Sequence, residues 1–364
     1  MSKFINEKAI FVGTGCNDLL EGELIVVPFG QDRIKNPKRL SLEWLVKNIK
    51  YRFRYPDEYS GWKNQIIKKI DKELKEDDVL ISSSGSMVAH MAALVMKKKK
   101  PTLTWIADFG DPWYEVDKKI RPWFSPLSKY LENKVIKESN AVVVTTPSTK
   151  RKLESLHGFS DAIHVVPYGY SQFVYKKNVF DGSELSVGHI GASHIANRDL
   201  RPFLSALADL SIPVNITLAG SRSQVYDELA TAQQLAGRWR FSGYDYVDYF
   251  SSLELLSNMD FIPIVGNIDD TQTPGKVFVC LASNIPILYL QQVTSDRVAD
   301  FISKYPGVIV CNNDKNEIAK SVNYIVNNYS YLYQEAKKRE DCSEIDEFSR
   351  VSTTKKLMKI IESA

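Results

Sequence analysis

The stretch DVLISSSGSMVAHMAALVMKKKKPTLTWIADFGDPW, residues 78–113, sets the fold. It opens on a short β-branched run, continues through residues 86–98 with apolar side chains at helical spacing, and closes on a second apolar run, PTLTWIAD (101–108). Strand, helix and strand in that order make a βαβ unit, whose strands lie parallel. Runs without polar alternation mark strands buried on both faces of a parallel sheet. Outward from this unit the rhythm repeats. AIFVG (9–13) and ELIVVPF (23–29) precede it, AVVVTT (141–146) and AIHVVPYG (162–169) follow it, and residues 125–139 carry helical spacing. The pattern predicts a doubly wound α/β domain over residues 1–170.

A second series begins beyond the polar segment SQFVYKKNVFDGSE: LSVGHIG (185–191), VNITLAG (214–220), RWRFSGY (238–244), MDFIPIVG (259–266), IPILYL (285–290) and GVIVC (307–311). Helices are expected around 199–210, 223–236, 246–257, 275–283 and 315–338. This gives a second α/β domain over 171–345, with the boundary near 170–184, and a last helix over 346–364 returning to the first domain. A chain of 364 residues exceeds what one core usually organises, which agrees with two domains. Open α/β sheets bind ligands at the carboxyl ends of their strands, so a site in the cleft between two such domains is expected.

The bulk numbers exclude several classes. A net charge of +3, with no basic tail and no zinc-finger spacing, sets nucleic acid aside. Cys16, Cys280, Cys311 and Cys342 form no CxxC pair, which suits a reducing cytoplasm. MSKFINEKAIFVG lacks the long apolar core of a signal peptide, and no run approaches the ~20 apolar residues of a membrane span. The stretch KNIKYRFRYPDEYSGWK (47–63), KKKK (97–100) and KKIRPWF (118–124) interleave basic and aromatic residues. They suit either peripheral contact with an anionic membrane surface or a solvated face over core aromatics.

DFGDPW (108–113) ends a strand with two carboxylates three residues apart. Asp108 or Asp111 can hold a sugar hydroxyl or take its proton; alternatively Asp111 caps a helix opened by Pro112. In VGTGCND, Gly13 and Gly15 allow a ligand close to the backbone, as does Gly191 in HIGASHIANRD, where Arg198 adds a fixed positive fork. Neither is a GxGxxG fingerprint, and each reads equally as a plain tight turn. In TQTPGKVFVCL, Thr273, Pro274 and Gly275 lead into an apolar helix with Lys276 in its first turn, an arrangement for a diphosphate or for a solvent-facing lysine. The five histidines show no metal spacing, and only His90 and His194 are read as candidates for a role.

Taken in order, these motifs resemble the bacterial family-4-like glycosyltransferases of the GT-B group, which build capsule, O-antigen and other surface polysaccharides. The resemblance runs from Asp78 to Leu290, through DFGDPW, HIGASHIANRDLRPFLSAL and the PGK helix. It implies a GT-B architecture, two doubly wound Rossmann-like domains facing across a cleft, and transfer of a hexosyl-type sugar from a nucleoside-diphosphate donor to a glycan or lipid-linked acceptor. No cofactor and no metal are implied, and work in the cytoplasm at the inner face of the membrane is. Asp108 and Asp111 are the implied catalytic pair. Gly191, Arg198, Gly243, Tyr244, Thr273, Gly275 and Lys276 would bind the donor, with Arg198 and Lys276 on the diphosphate and Gly243 and Tyr244 near the base. Gly13, Gly15, Ser84 and His90 would line the acceptor side.

The chain departs from the family pattern twice. Gly110 stands where the family has arginine, and Val279 stands where its helix carries a glutamate for the donor ribose, with Thr271 at the partner carboxylate's position. A valine accepts no hydrogen bond. Two other functions can use the same architecture: a non-catalytic subunit partnering an active transferase, and a sugar-nucleotide epimerase.

Overall fold

The computed structural model describes residues 10–13, 23–26, 55–56, 60–83, 87–158, 161–268 and 273–364. Two compact units divide the chain. One is Met1–Val166 with Thr354–Ala364, the other Pro167–Thr353. Residues 167–170 belong with the second unit because Tyr170 N donates to Phe348 O (3.0 Å) and Arg350 N donates to Tyr170 O (2.8 Å). The return to the first unit therefore comes at Thr354, within the last helix.

In the first unit β1 (Ile10–Gly13) pairs in parallel with β2 (Glu23–Val26). Then follow α1 (Lys63–Glu73), β3 (Val79–Ser83), α2 (Met87–Lys99), β4 (Thr104–Phe109), α3 (Trp113–Ile120), α4 (Ser125–Glu138), β5 (Ala141–Val144), α5 (Pro147–His157) and β6 (Ile163–Val165). Strands β3 to β6 form a parallel sheet in sequence order. The continuous apolar run of β4 serves two faces. Trp105, Ala107 and Phe109 pack with Ala93, Leu94, Val135 and Ile136 of α2 and α4, while Ile106 joins Ala141, Val143 and Ile360 on the other side. Alternation of side chains along the strand produces this division.

The second unit contains β7 (Leu185–Ile190), α6 (Arg201–Leu207), β8 (Val214–Ala219), α7 (Gln224–Leu235), β9 (Trp239–Tyr244), α8 (Tyr249–Ser257), β10 (Ile262–Val265), α9 (Lys276–Leu281), β11 (Ile287–Gln291), α10 (Arg297–Ile302), β12 (Val308–Asn312), α11 (Lys315–Asn327), α12 (Tyr329–Lys337), α13 (Ser343–Asp346) and the start of α14 (Arg350–Ser363). Its strands make two parallel three-stranded sheets, β7-β8-β9 and β10-β11-β12. Strand β10 lies beside β7, with Asp260 N donating to Ser186 O at 2.6 Å. The lateral order β9-β8-β7-β10-β11-β12 is that of a doubly wound nucleotide-binding sheet, whose switch point falls where β7 and β10 part.

The helices expected around 199–210 and 246–257 are shorter, at Arg201–Leu207 and Tyr249–Ser257, and two further ones are divided or begin later. The helix expected over 315–338 breaks at Asn328, whose Nδ2 donates to Tyr324 O (2.9 Å). A side chain that satisfies the last carbonyls ends one helix, and Tyr329 begins the next. The helix expected from 346 begins at Arg350, because α13 and a turn precede it.

Candidate functional site

At the switch point the chain leaves β7 through Gly191, whose φ of +117° is a conformation that favours glycine. A Cβ on Gly220 would come within 2.8 Å of Gly191 O, so the loops after β7 and β8 are packed backbone to backbone. Arg198 N donates to His194 O (2.8 Å), which turns the loop back over the strand ends. The Arg198 side chain then donates from Nε to Asn267 Oδ1 (2.7 Å) and from Nη1 to Ala192 O (3.2 Å). Gln292 Nε2 ties the same two loops, donating to Asn197 O and Gly266 O at 2.6 Å each. The guanidinium is thus held across the gap between the strands.

Lys276, the first residue of α9, places Nζ 3.2 Å from both ring nitrogens of His189 on β7. Burial lowers the Lys276 pKa to about 7; the neighbouring Cys280 opposes this and the Arg198 charge adds to it. Burial, then Lys276 and Arg198, also hold His189 well below its ordinary value, which leaves a neutral imidazole to accept from the ammonium. The result is positive charge concentrated beside strand-end backbone, an arrangement that suits a phosphate group. His189, Asn267 and Gln292 escaped the sequence reading. The weak signal for His189 was its place two residues before Gly191, and for Asn267 its place directly after IPIVG.

The structure brings together Gly191, Arg198 and Lys276, and sets the other candidates of the second unit on neighbouring elements. Gly275 is the N-cap of α9, where an added Cβ would lie 3.3 Å from the Tyr168 ring, and Thr273 is half-buried just before it. Gly243 and Tyr244 end β9, two strands from β7, exposed and paired with Leu218 and Ala219. His194 Nε2 sits 3.2 Å from Ser221 Oγ. Val279 is half-buried against the apolar cluster of α8, β10 and β11, so no carboxylate stands at that position. Thr271 lies outside the described residues.

In the first unit Asp108 is paired in register with Ser83, and its Oδ2 accepts from Ser83 Oγ (2.8 Å). Burial raises its pKa and the Ser83 bond opposes the rise. Asp111 is exposed in the turn. Pro112 occupies the N-cap of α3 and makes no side-chain cap bond, and Tyr114 N donates to Glu132 Oε2 (2.9 Å). Glu132 is buried and also meets His157 Nε2 at 2.6 Å. Beneath the turn, Trp113 Nε1 donates to Asp117 (3.2 Å), which is paired with buried Arg121 (2.6 Å). The DFGDPW turn is therefore anchored through its tryptophan.

His90 is wholly buried. Its Nδ1 lies 2.8 Å from Ser82 Oγ, its ring stacks on Phe109 at 4.4 Å, and burial alone lowers its pKa to about 3. Its Nε2 has no partner among the described residues. Gly13 ends β1, while Gly15 and Ser84 lie outside the described residues, as do 47–54 and 57–59 of the basic–aromatic stretch. Among the described residues no group of three His, Cys, Asp or Glu side chains could hold a metal ion, and no helix is long and apolar enough to cross a membrane.

No protein-family model and no curated protein sequence matches the chain. Solved structures do. HepE from Anabaena, in complex with UDP, is 11% identical over 85% of this chain and 84% of its own, with a TM-score of 0.64. The sucrose-phosphate synthase of Thermosynechococcus elongatus is 12% identical over 84% of this chain and 79% of its own, with a TM-score of 0.62. A glycosyltransferase of Rickettsia africae is 13% identical over 99% and 91%, with a TM-score of 0.61. The chain has the two-domain, Rossmann-like GT-B fold.

Proposed function

We propose that the protein is a glycosyltransferase that takes a sugar from a nucleoside-diphosphate donor and passes it to a glycan or lipid-linked acceptor in surface-polysaccharide synthesis at the inner face of the membrane. One observation carries the reading: Arg198 and Lys276 converge with His189 where β7 and β10 part. Negative charge grows on the departing diphosphate as the glycosidic bond breaks, and fixed cations there lower the barrier. In this reading Gly191, Thr273 and Gly275 surround the diphosphate, and Gly243 and Tyr244 approach the base. A uridine nucleotide is the first donor to try, because HepE was crystallised with UDP and with UDP-glucose. Asp108 and Asp111 contact the acceptor or the transferred sugar. Asp108 is suited to proton transfer because burial brings its pKa upward. Gly13, Gly15, Ser84 and His90 belong to the acceptor side.

The second reading is a non-catalytic GT-B subunit. Val279 favours it, since its side chain packs into an apolar cluster and offers nothing to a ribose. Calorimetric titration with a panel of nucleoside diphosphates and their sugars separates the two. Selective binding that Lys276→Ala abolishes supports the donor site, and absence of binding across the panel favours the subunit.

A further inference from the structure

On the first unit the short turn Pro122–Phe124 runs directly into α4. Trp123, Leu127 and Tyr130, spaced by four and three residues, are 41%, 43% and 59% exposed. That spacing places them on one face of a helix. The opposite face of α4 is already committed, since Ser128, Glu132, Val135 and Ile136 are buried. The outward stripe is thus apolar where a helix facing only water would be polar.

The flanking charge is predominantly positive. Lys129 and Lys118 both lie over the Tyr114 ring, at 5.6 and 5.8 Å, and Lys134 lies 5.6 Å over the ring of Tyr130 with Lys98 beside it. Of the acidic residues of the same elements, Asp117 is buried on Arg121, Glu132 is buried on His157 and Glu115 pairs with Lys152, while Glu138, one turn beyond Lys134, is exposed. Beside Tyr130 a depression of about 400 Å³ opens, bordered by Lys129, Asn133 and His157. Aromatic rings with one polar end, an aliphatic side chain and long basic stems together match the boundary between headgroups and acyl chains. A nucleic acid would meet the lysines but would find no use for Leu127.

We propose that this face docks on an anionic lipid bilayer, with Trp123, Leu127 and Tyr130 entering the headgroup boundary and Lys118, Lys129 and Lys134 meeting lipid phosphates. The proposal names where the membrane contact in the functional reading is made, and it does not depend on the donor site. Flotation of the full chain with vesicles of phosphatidylcholine and phosphatidylglycerol in equal parts, against phosphatidylcholine alone, is the test. Binding to the anionic vesicles that weakens as salt rises is expected. The double change K129Q/K134Q should lower the partition coefficient on the order of thirtyfold. L127S/Y130S should weaken binding at low and high salt alike. Both variants should keep the parent's melting temperature and nucleotide binding, which separates this surface from the donor reading. No flotation on anionic vesicles, or flotation that neither double change alters, overturns the proposal. A lipid-free dimer abolished by L127S/Y130S would also overturn it and make the face a contact between copies of the chain.

Discussion

An ammonium is set against an imidazole in the second unit, with a guanidinium nearby. Lys276 shows the cost of that arrangement. Its pKa in the folded chain is about 7, against 10.5 for an ordinary lysine. Between those values the unfolded chain binds the extra proton, so stability rises with pH across that window, and the full penalty applies at and below its lower end. Lys276→Met should therefore raise the melting temperature at neutral pH, a gain on the order of 1 kcal/mol, because a desolvated ammonium whose described partner is a neutral imidazole is removed. The same variant should weaken nucleoside-diphosphate binding about tenfold or more, the worth of one charge-assisted hydrogen bond. A thermal melt and a titration on the same sample check both, and a fall in both together would make the lysine merely structural. A bound diphosphate favours the charged ammonium, so binding above neutral pH should take up a proton. Titrations in buffers of different ionisation heat would show it, with affinity falling as pH rises. Lys276 and Arg198 were legible because PGK and NRD are local patterns. His189 was not, since a strand histidine gains meaning only from a lysine 87 residues away.

Among the elements, β7 and β8 show how closely the sheet is built. A Cβ on Gly188 would stand 2.0 Å from Thr217 O, backbone that cannot step aside without parting the two strands. Gly188→Ala should cost several kcal/mol, roughly the upper range for overpacking or more, read as a lower urea midpoint with nucleotide binding lost in step. Helix α3 offers a second case. Buried Glu132 serves Tyr114 N and His157 Nε2 at once, so Glu132→Ala leaves two buried polar groups without it and should cost about 1–3 kcal/mol for each group stranded. Chemical denaturation measures this, and His157→Leu on the same background should recover part of the loss. The strands were readable from continuous apolar runs such as AVVV and IPIV, because burial on both faces leaves no alternation to confuse. Helix ends were less so. Nothing in NNYSYLYQ distinguishes a continuing helix from one stopped at Asn328, where a side-chain bond to Tyr324 O decides the matter.

For the whole molecule, the chain's path out of the second unit is the decisive feature. Backbone bonds between Tyr170 and residues 348 and 350 fix the start of α14 to the second unit, and from Thr354 onward the helix belongs to the first. There Ile360 closes the apolar face made by Ile106, Ala141 and Val143, and Asn140 Nδ2 donates to Ala364 O (3.2 Å). The last helix and its return could be foreseen in outline, but its division at Thr354 depends on partners far away in sequence. Each unit carries its own sheet and its own apolar clusters, so the two should respond separately to loss of the tail. Deleting residues 354–364 strips the cover from Ile106 and Val143, whose exposure should destabilise the first unit by about 2–5 kcal/mol, the scale of emptying one large aliphatic site. The second unit retains β7, β10, Arg198 and Lys276 and should still bind a nucleoside diphosphate. Calorimetric melting of the truncated chain should then show one transition moved down and another held in place by added nucleotide. A single transition that falls as a whole, with nucleotide affinity lost, would mean that the tail stabilises both units as one cooperative body.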